Sequence, residues 1–144
     1  MAGAGKTLDE LEGFTWGEPT FGSYLVTTCH RLRTKPVGEF TVEDLRIMVG
    51  QGVGLSHLVP QAVAALERDP LAEGDYYPGD LLASVVGAEG WLRSNPGWFG
   101  RVVVAAQRAL AVLDDADGDL RARLAEFVGR AEAEPGAAAD TAAR

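Results

Sequence analysis

Four places in this sequence come nearest to a catalytic or ligand-binding pattern: Gly3-Ala4-Gly5-Lys6-Thr7, Cys29-His30, Gly54-Leu55-Ser56-His57 and Asp115-Ala116-Asp117-Gly118-Asp119. Each falls short. A phosphate-binding loop needs a glycine separated by four residues from its Gly-Lys pair and a strand leading into it; only Ala4 separates Gly3 from Gly5, and no strand is legible there. A calcium loop built on Asp115, Asp117 and Gly118 would need an acid at 113 and a glutamate at 124; both positions are leucine. Neighbouring residues on a helix point about 100° apart, so Cys29 and His30 cannot easily share one ion. Cys29 also falls on an apolar stripe, where a thiol packs as a small hydrophobe. Gly54-Leu55-Ser56-His57 lacks the second glycine of a nucleophile elbow. Carboxylates are plentiful, but no pair is singled out as glycoside chemistry would require. These readings predict a protein that is not an enzyme and takes no metal or cofactor.

One segment is better suited to touching something than to cutting it. Glu73, Gly74, Asp75, Tyr76, Tyr77, Pro78, Gly79 and Asp80 place three carboxylates and two tyrosines in a row just before an apolar helical pattern. Two readings stand. In one, the tyrosines pack on the body and Asp80 only caps the next helix. In the other, Tyr76 and Tyr77 supply rigid contact area with a polar tip, while Glu73, Asp75 and Asp80 pair with basic groups of a partner.

The elements that must carry this segment read as helices. Thr7 and Glu10 form a capping box closed by Gly13. Ser23 caps a helix with Leu25, Val26, Cys29 and Leu32 on one face. Thr41, with Asp44 in place of the usual Glu or Gln, opens a helix whose stripe is Val42, Leu45, Met48 and Val49. A helix over 58–67 keeps Pro60 in its first turn, where the missing N–H costs least. Asp80 caps a short helix through Val85 and Val86, and one further turn is expected around Trp91. Longer helices are predicted over 98–113 and 120–132. Trp16 is expected to be largely buried, tying the irregular stretch 14–22 to the body, with Phe21 assisting. No sustained period-two pattern and no repeat is visible. The sequence thus predicts an all-α protein, a single compact bundle of roughly six or seven helices, several of them short. Residues 1–6 are expected to be a flexible N-terminus, 7–134 the helical domain and 135–144 a disordered, alanine-rich tail.

Charge narrows the partner. Lys and Arg number 13 against 21 Asp and Glu, giving a net −8. A nucleic-acid ligand needs a basic surface, so direct binding to DNA or RNA is not expected. An acidic chain favours a basic partner drawn in by long-range attraction, although acidity also serves solubility alone. Cys29 is the single cysteine, which excludes an internal disulfide and fits a reducing compartment. No apolar run approaches the roughly 20 residues of a membrane helix, and the N-terminus lacks a signal-peptide core. A cytoplasmic location with no membrane partner is expected.

The chain resembles a helical family of immunity proteins from contact-dependent growth inhibition (CDI) systems. The likeness runs through four stretches: Leu8-Asp9-Glu10-Leu11-Glu12-Gly13 with Trp16-Gly17-Glu18-Pro19; Cys29-His30-Arg31-Leu32-Arg33 with Lys35-Pro36-Val37-Gly38-Glu39; Thr41-Val42-Glu43-Asp44-Leu45-Arg46 into Gly50-Gln51-Gly52-Val53-Gly54-Leu55; and Asp69-Pro70-Leu71 through the acidic aromatic segment. It extends over roughly residues 8–86, with only the helical pattern continuing beyond. These are scaffold motifs, not an active-site signature. The resemblance implies a cytoplasmic protein that binds and blocks the toxic C-terminal domain of a cognate delivered effector, a toxin domain expected to be basic. The alternative is a small acidic helical adaptor with no toxin partner.

Overall fold

The computed structural model describes residues 5–17, 22–114 and 116–133. Among these, eight α-helices follow one another and no sheet forms; the lone β-type contact is an isolated bridge between Glu73 and Pro78. The helices are α1 (Leu8–Glu12), α2 (Tyr24–Leu32), α3 (Val42–Gly50), α4 (Leu55–Arg68), α5 (Asp80–Gly87), α6 (Glu89–Arg93), α7 (Pro96–Val112) and α8 (Gly118–Ala133). The all-α bundle matches the expectation, with the turn around Trp91 forming a helix of its own, α6. The tail 135–144 and Phe21 lie outside the described residues.

Local signals fixed the starts of α1, α2 and α3. Both predicted capping boxes are closed, Thr7 with Glu10 and Thr41 with Asp44, and Ser23 Oγ accepts from the Val26 N–H. Gly13 takes the left-handed conformation that ends α1. Lys6, expected within a flexible start, is held by its carbonyl, which accepts from the Val37 N–H at 2.9 Å.

Helix α4 departs from the prediction. It begins at Leu55, so Pro60 lies in its interior and not in its first turn. An interior proline forfeits one helical hydrogen bond and crowds the preceding turn. Burial offsets this cost, because Leu58, Val59, Ala62, Val63 and Leu66 are all fully enclosed. The start is set by Gly54, whose φ of +66° suits glycine. A Cβ there would also meet a Leu8 methyl at 2.8 Å, so α1 packs against bare backbone.

The core runs through the middle of the bundle. Helix α5 packs against α3, α4, α7 and α8. Leu81, Leu82, Ala83, Val85 and Val86 are buried, making it apolar nearly all round, as a central helix must be. Helix α3 comes close to it at Gly50, where a Cβ would stand 3.3 Å from Ser84 Oγ. Helices α7 and α8 pair through Phe99 and Phe127, edge to face at 5.6 Å between centroids. Cys29 is buried, and burial pushes its thiol pKa up, as a core cysteine requires.

Trp16 corrects a second expectation. It is 38% exposed and is not a core residue. It lies over the Arg33 guanidinium at 4.6 Å and edge-on to His30 at 5.0 Å. Arg33 is the buried member of this group, 1% exposed, with ion pairs to Asp9 at 2.8 Å and Glu12 at 2.5 Å and the Phe14 ring 4.9 Å away. The segment after α1 is therefore fastened through a buried cation. On α2 the buried face is Thr28, Cys29 and Leu32, while Leu25, expected inward, is 40% exposed.

Candidate functional site

The segment 73–79 is a tight loop mounted on the N-terminal end of the central helix. Its framework is a set of backbone N–H groups directed at two carboxylates. Asp80 accepts from Gly74 N–H at 2.6 Å, from Tyr76 N–H at 3.0 Å and, at the long end, from Tyr77 N–H at 3.4 Å. Glu43, on α3, accepts from Asp75 N–H at 2.9 Å. The Glu73–Pro78 bridge closes the base, and Gly79 N–H donates to the Leu71 carbonyl.

Behind the loop stands Arg46. Its Nε and Nη2 grip Glu43 at 2.6 and 2.5 Å, and its Nε lies 3.9 Å from Asp80. The Tyr76 ring covers the guanidinium at 4.4 Å. This bidentate pairing is the strong form of an ion pair. The Arg46 hydrogen bonds, helped by the Asp75 N–H, hold the Glu43 carboxyl below the usual carboxylate range despite partial burial. The same contact with Glu43 pushes Arg46 further up.

Gly74 is required by close approach. A Cβ would fall 2.5 Å from Glu43 Oε1 and 3.3 Å from the Glu43 backbone. Gly79 has a φ of +92°, and a Cβ there would meet Leu120 of α8 at 2.6 Å. Thus the loop is pressed against α3 on one side and α8 on the other.

The five residues singled out from sequence divide into two groups. Glu73, Asp75, Tyr76 and Tyr77 are exposed, Tyr76 most of all at 71%. Asp80 is 2% exposed. Nor does it cap α5: Gly79 occupies the N-cap position, and the Asp80 side chain turns back into the loop. Asp80 therefore shapes the surface without belonging to it. Both tyrosines are exposed, and Tyr76 rests its ring on the Arg46 guanidinium.

Sequence reasoning missed Glu43 and Arg46. Their i,i+3 spacing reads as an ordinary helix-surface pair, and no local signal places them under a loop about thirty residues downstream. It also missed the neighbouring surface. A hollow of about 240 Å³ beside the loop is lined by Arg46, Tyr76, Tyr77, Asp80, Ser84 and Arg123, among others. A wider one, about 920 Å³, separates Tyr77 from Asp117, Asp119 and Leu120 at the start of α8. Tyr77 stands between the two. The arrangement offers an acidic rim, two exposed rings and a braced backbone, which suits recognition of a protein surface. Among the described residues no three His, Cys, Asp or Glu side chains converge as a metal site. No helix among them is long and apolar enough to cross a membrane.

A protein-family model described as CDI immunity proteins matches residues 10–96, a span that includes α2 to α6 and the whole acidic loop. No curated protein and no solved structure matches the chain.

Proposed function

This chain belongs to the family of CDI immunity proteins, and we propose that it neutralises the C-terminal toxin domain of its cognate effector by binding it without catalysis. The loop 73–77 is the contact surface in this reading, with Glu73, Asp75, Tyr76 and Tyr77 meeting the toxin and Asp80 holding them in place. The observation that carries it is the clamp: two acids and two aromatic rings are exposed on a backbone fixed by Asp80, Glu43 and Arg46. A rigid loop loses little entropy on binding, so more of its contact energy appears as affinity. The net charge of −8 suits a basic toxin and speeds encounter. The protein acts in the cytoplasm, where a delivered toxin would meet it.

The test is protection of cells expressing the cognate toxin domain, combined with stopped-flow association. Wild type should protect at about one equivalent of toxin, since an inhibitor is used stoichiometrically. Its association rate should exceed the roughly 10⁵–10⁶ M⁻¹s⁻¹ of a neutral pair and fall as salt rises. Glu73→Gln with Asp75→Asn should slow association, and Tyr76→Ala with Tyr77→Ala should speed release. Full protection by the folded quadruple variant would move the interface off this loop. Failure of wild type to bind would favour the adaptor reading.

A further inference from the structure

We propose that the toxin interface is a groove with two walls. The second wall is the turn 114–119 leading into α8, which together with Tyr77 takes a lysine- or arginine-bearing segment of the toxin domain. The inference rests on the loop being a toxin contact and extends that contact to a part of the chain outside the family match.

The distribution of unpaired acids selects this groove. Many carboxylates are occupied within the chain: Asp9 and Glu12 by Arg33, Glu43 by Arg46, Asp44 by Lys35, Glu67 by Arg101, Glu89 by Arg93 and Arg130. Glu73, Asp75, Asp114, Asp117 and Asp119 are not. Their side chains accept no hydrogen bond and have no cation within ion-pair distance; among the other described residues only Glu39, Glu126 and Glu132 share that condition. Asp117 and Asp119 line the hollow of about 920 Å³ whose opposite side is Tyr77, and the loop that carries Tyr77 also carries Glu73 and Asp75. Acids at the start of α8 also suit its helix dipole. That does not account for Asp114, which follows the C-terminal end of α7, where the dipole disfavours a negative charge.

The walls are set against each other without a partner. At Gly79 the loop backbone packs on Leu120 so closely that a Cβ would meet its methyl at 2.6 Å. Within the turn, the Asp117 N–H donates to the Asp114 carbonyl at 3.1 Å, and Arg121 Nη2 donates to the Leu113 carbonyl. Tyr77, Leu120 and Ala122 offer apolar surface to the stem of a lysine or arginine, and Asp117 and Asp119 meet its charge. Arg123 lines the same hollow, but its Nη2 is turned to the Ala83 carbonyl of α5. Ala116, Asp117, Gly118 and Asp119 are all exposed, unlike the walls that enclose a small molecule, so the hollow suits a stretch of a partner's chain. A metal ion would lack ligands, since no three His, Cys, Asp or Glu side chains converge among the described residues. The family match ends at residue 96, so the loop wall lies in the shared part and the turn in the part particular to this chain. The turn is therefore the wall that discriminates between toxins.

The experiment measures binding of an inactive cognate toxin domain to the full chain carrying Asp114→Asn, Asp117→Asn and Asp119→Asn. A control with Glu39→Gln, Glu126→Gln and Glu132→Gln removes the same charge elsewhere. Asn keeps the shape and capping capacity of Asp, and thermal melting establishes that both variants are folded. The turn variant should bind about 10-fold or more weakly, the scale of three exposed ion pairs, with a shallower salt dependence. The control should stay within about threefold of wild type, because distant exposed charges are screened. Asp114→Asn alone, which caps no helix, should weaken binding about threefold without loosening α8. Equal losses in the turn variant and the control would mean that overall charge alone acts, and would overturn the groove; unchanged binding by the turn variant would overturn it too. Glu73→Gln with Asp75→Asn probes the loop by itself. If only that variant weakens binding, the loop stands and the second wall falls; if only the turn variant does, the loop reading falls and the turn is the contact. Absence of any wild-type binding would overturn both.

Discussion

Replacing Asp80 with Ala should unfasten the loop without touching its exposed surface. The carboxylate accepts two good hydrogen bonds, at 2.6 and 3.0 Å, and a third near the limit at 3.4 Å. A hydrogen bond to a charged group contributes about 1.5–3 kcal/mol when its partner cannot find water. Here the donors belong to a surface loop that can rehydrate by moving outward, so the two strong bonds together are worth about 2–4 kcal/mol. Arg46 would also lose a neighbouring charge. Asp80→Asn, which keeps an acceptor but no charge, should lose about half as much. Urea unfolding gives the stability change, and native-state hydrogen exchange shows where it acts: the Gly74 and Tyr76 amides should lose protection while those of α7 keep theirs. Toxin affinity should fall as well, although Asp80 is 2% exposed. A stability loss under about 0.5 kcal/mol with unchanged exchange at Gly74 and Tyr76 would refute the reasoning, because the clamp would then not be what orders the loop.

Trp16→Ala should cost about 0.5–2 kcal/mol in chemical denaturation, the scale of a partly exposed cation–π contact. Arg33→Met should cost more, about 2–4 kcal/mol, because it leaves Asp9 and Glu12 facing an uncharged site; equal losses would contradict the assignment of Arg33 as the fastening. Acid should loosen the α3 side of the loop. Glu43 titrates below its ordinary 4.5 because of Arg46, and Asp44, whose burial alone would raise it, is brought below 3.8 by Lys35 and Thr41. Folded pKa values below the unfolded ones mean that this stability is complete above about pH 4.5 and is lost as pH falls through the folded values. Thermal melts across that range should therefore show a shallower pH slope for Glu43→Gln than for wild type.

How much of this was legible in the sequence depends on the distance over which each feature is decided. Thr7 with Glu10, Ser23 and Thr41 with Asp44 gave helix starts to the residue, because a cap is settled within about four positions. Pro60 misled because a local rule put it in a first turn, whereas burial of Leu58 and Val59 carried α4 back to Leu55. Trp16 misled differently. An indole in an irregular stretch was expected to find the core, but the fold offered it the buried cation Arg33. The resemblance to immunity proteins was anticipated over about residues 8–86, and the family match over 10–96 bears it out.

By itself the sequence determined the helical class, the starts of α1, α2 and α3, the acidic balance and the family. It also marked the loop by its unusual company of acids, tyrosines and glycines. What the loop does with those residues was decided only by tertiary structure. Asp80 and Asp75 look alike in a string of letters. One is enclosed and gathers backbone N–H groups, while the other is exposed and gives its own N–H to Glu43, 32 positions earlier. Arg46 reaches the same place from α3 and Arg123 from α8. Hydrophobic periodicity reports which face of a helix is buried, but carries no information on which distant helix will lie against it. The packing around α5 makes that choice, and with it decides which charges are paired inside the chain and which stay exposed.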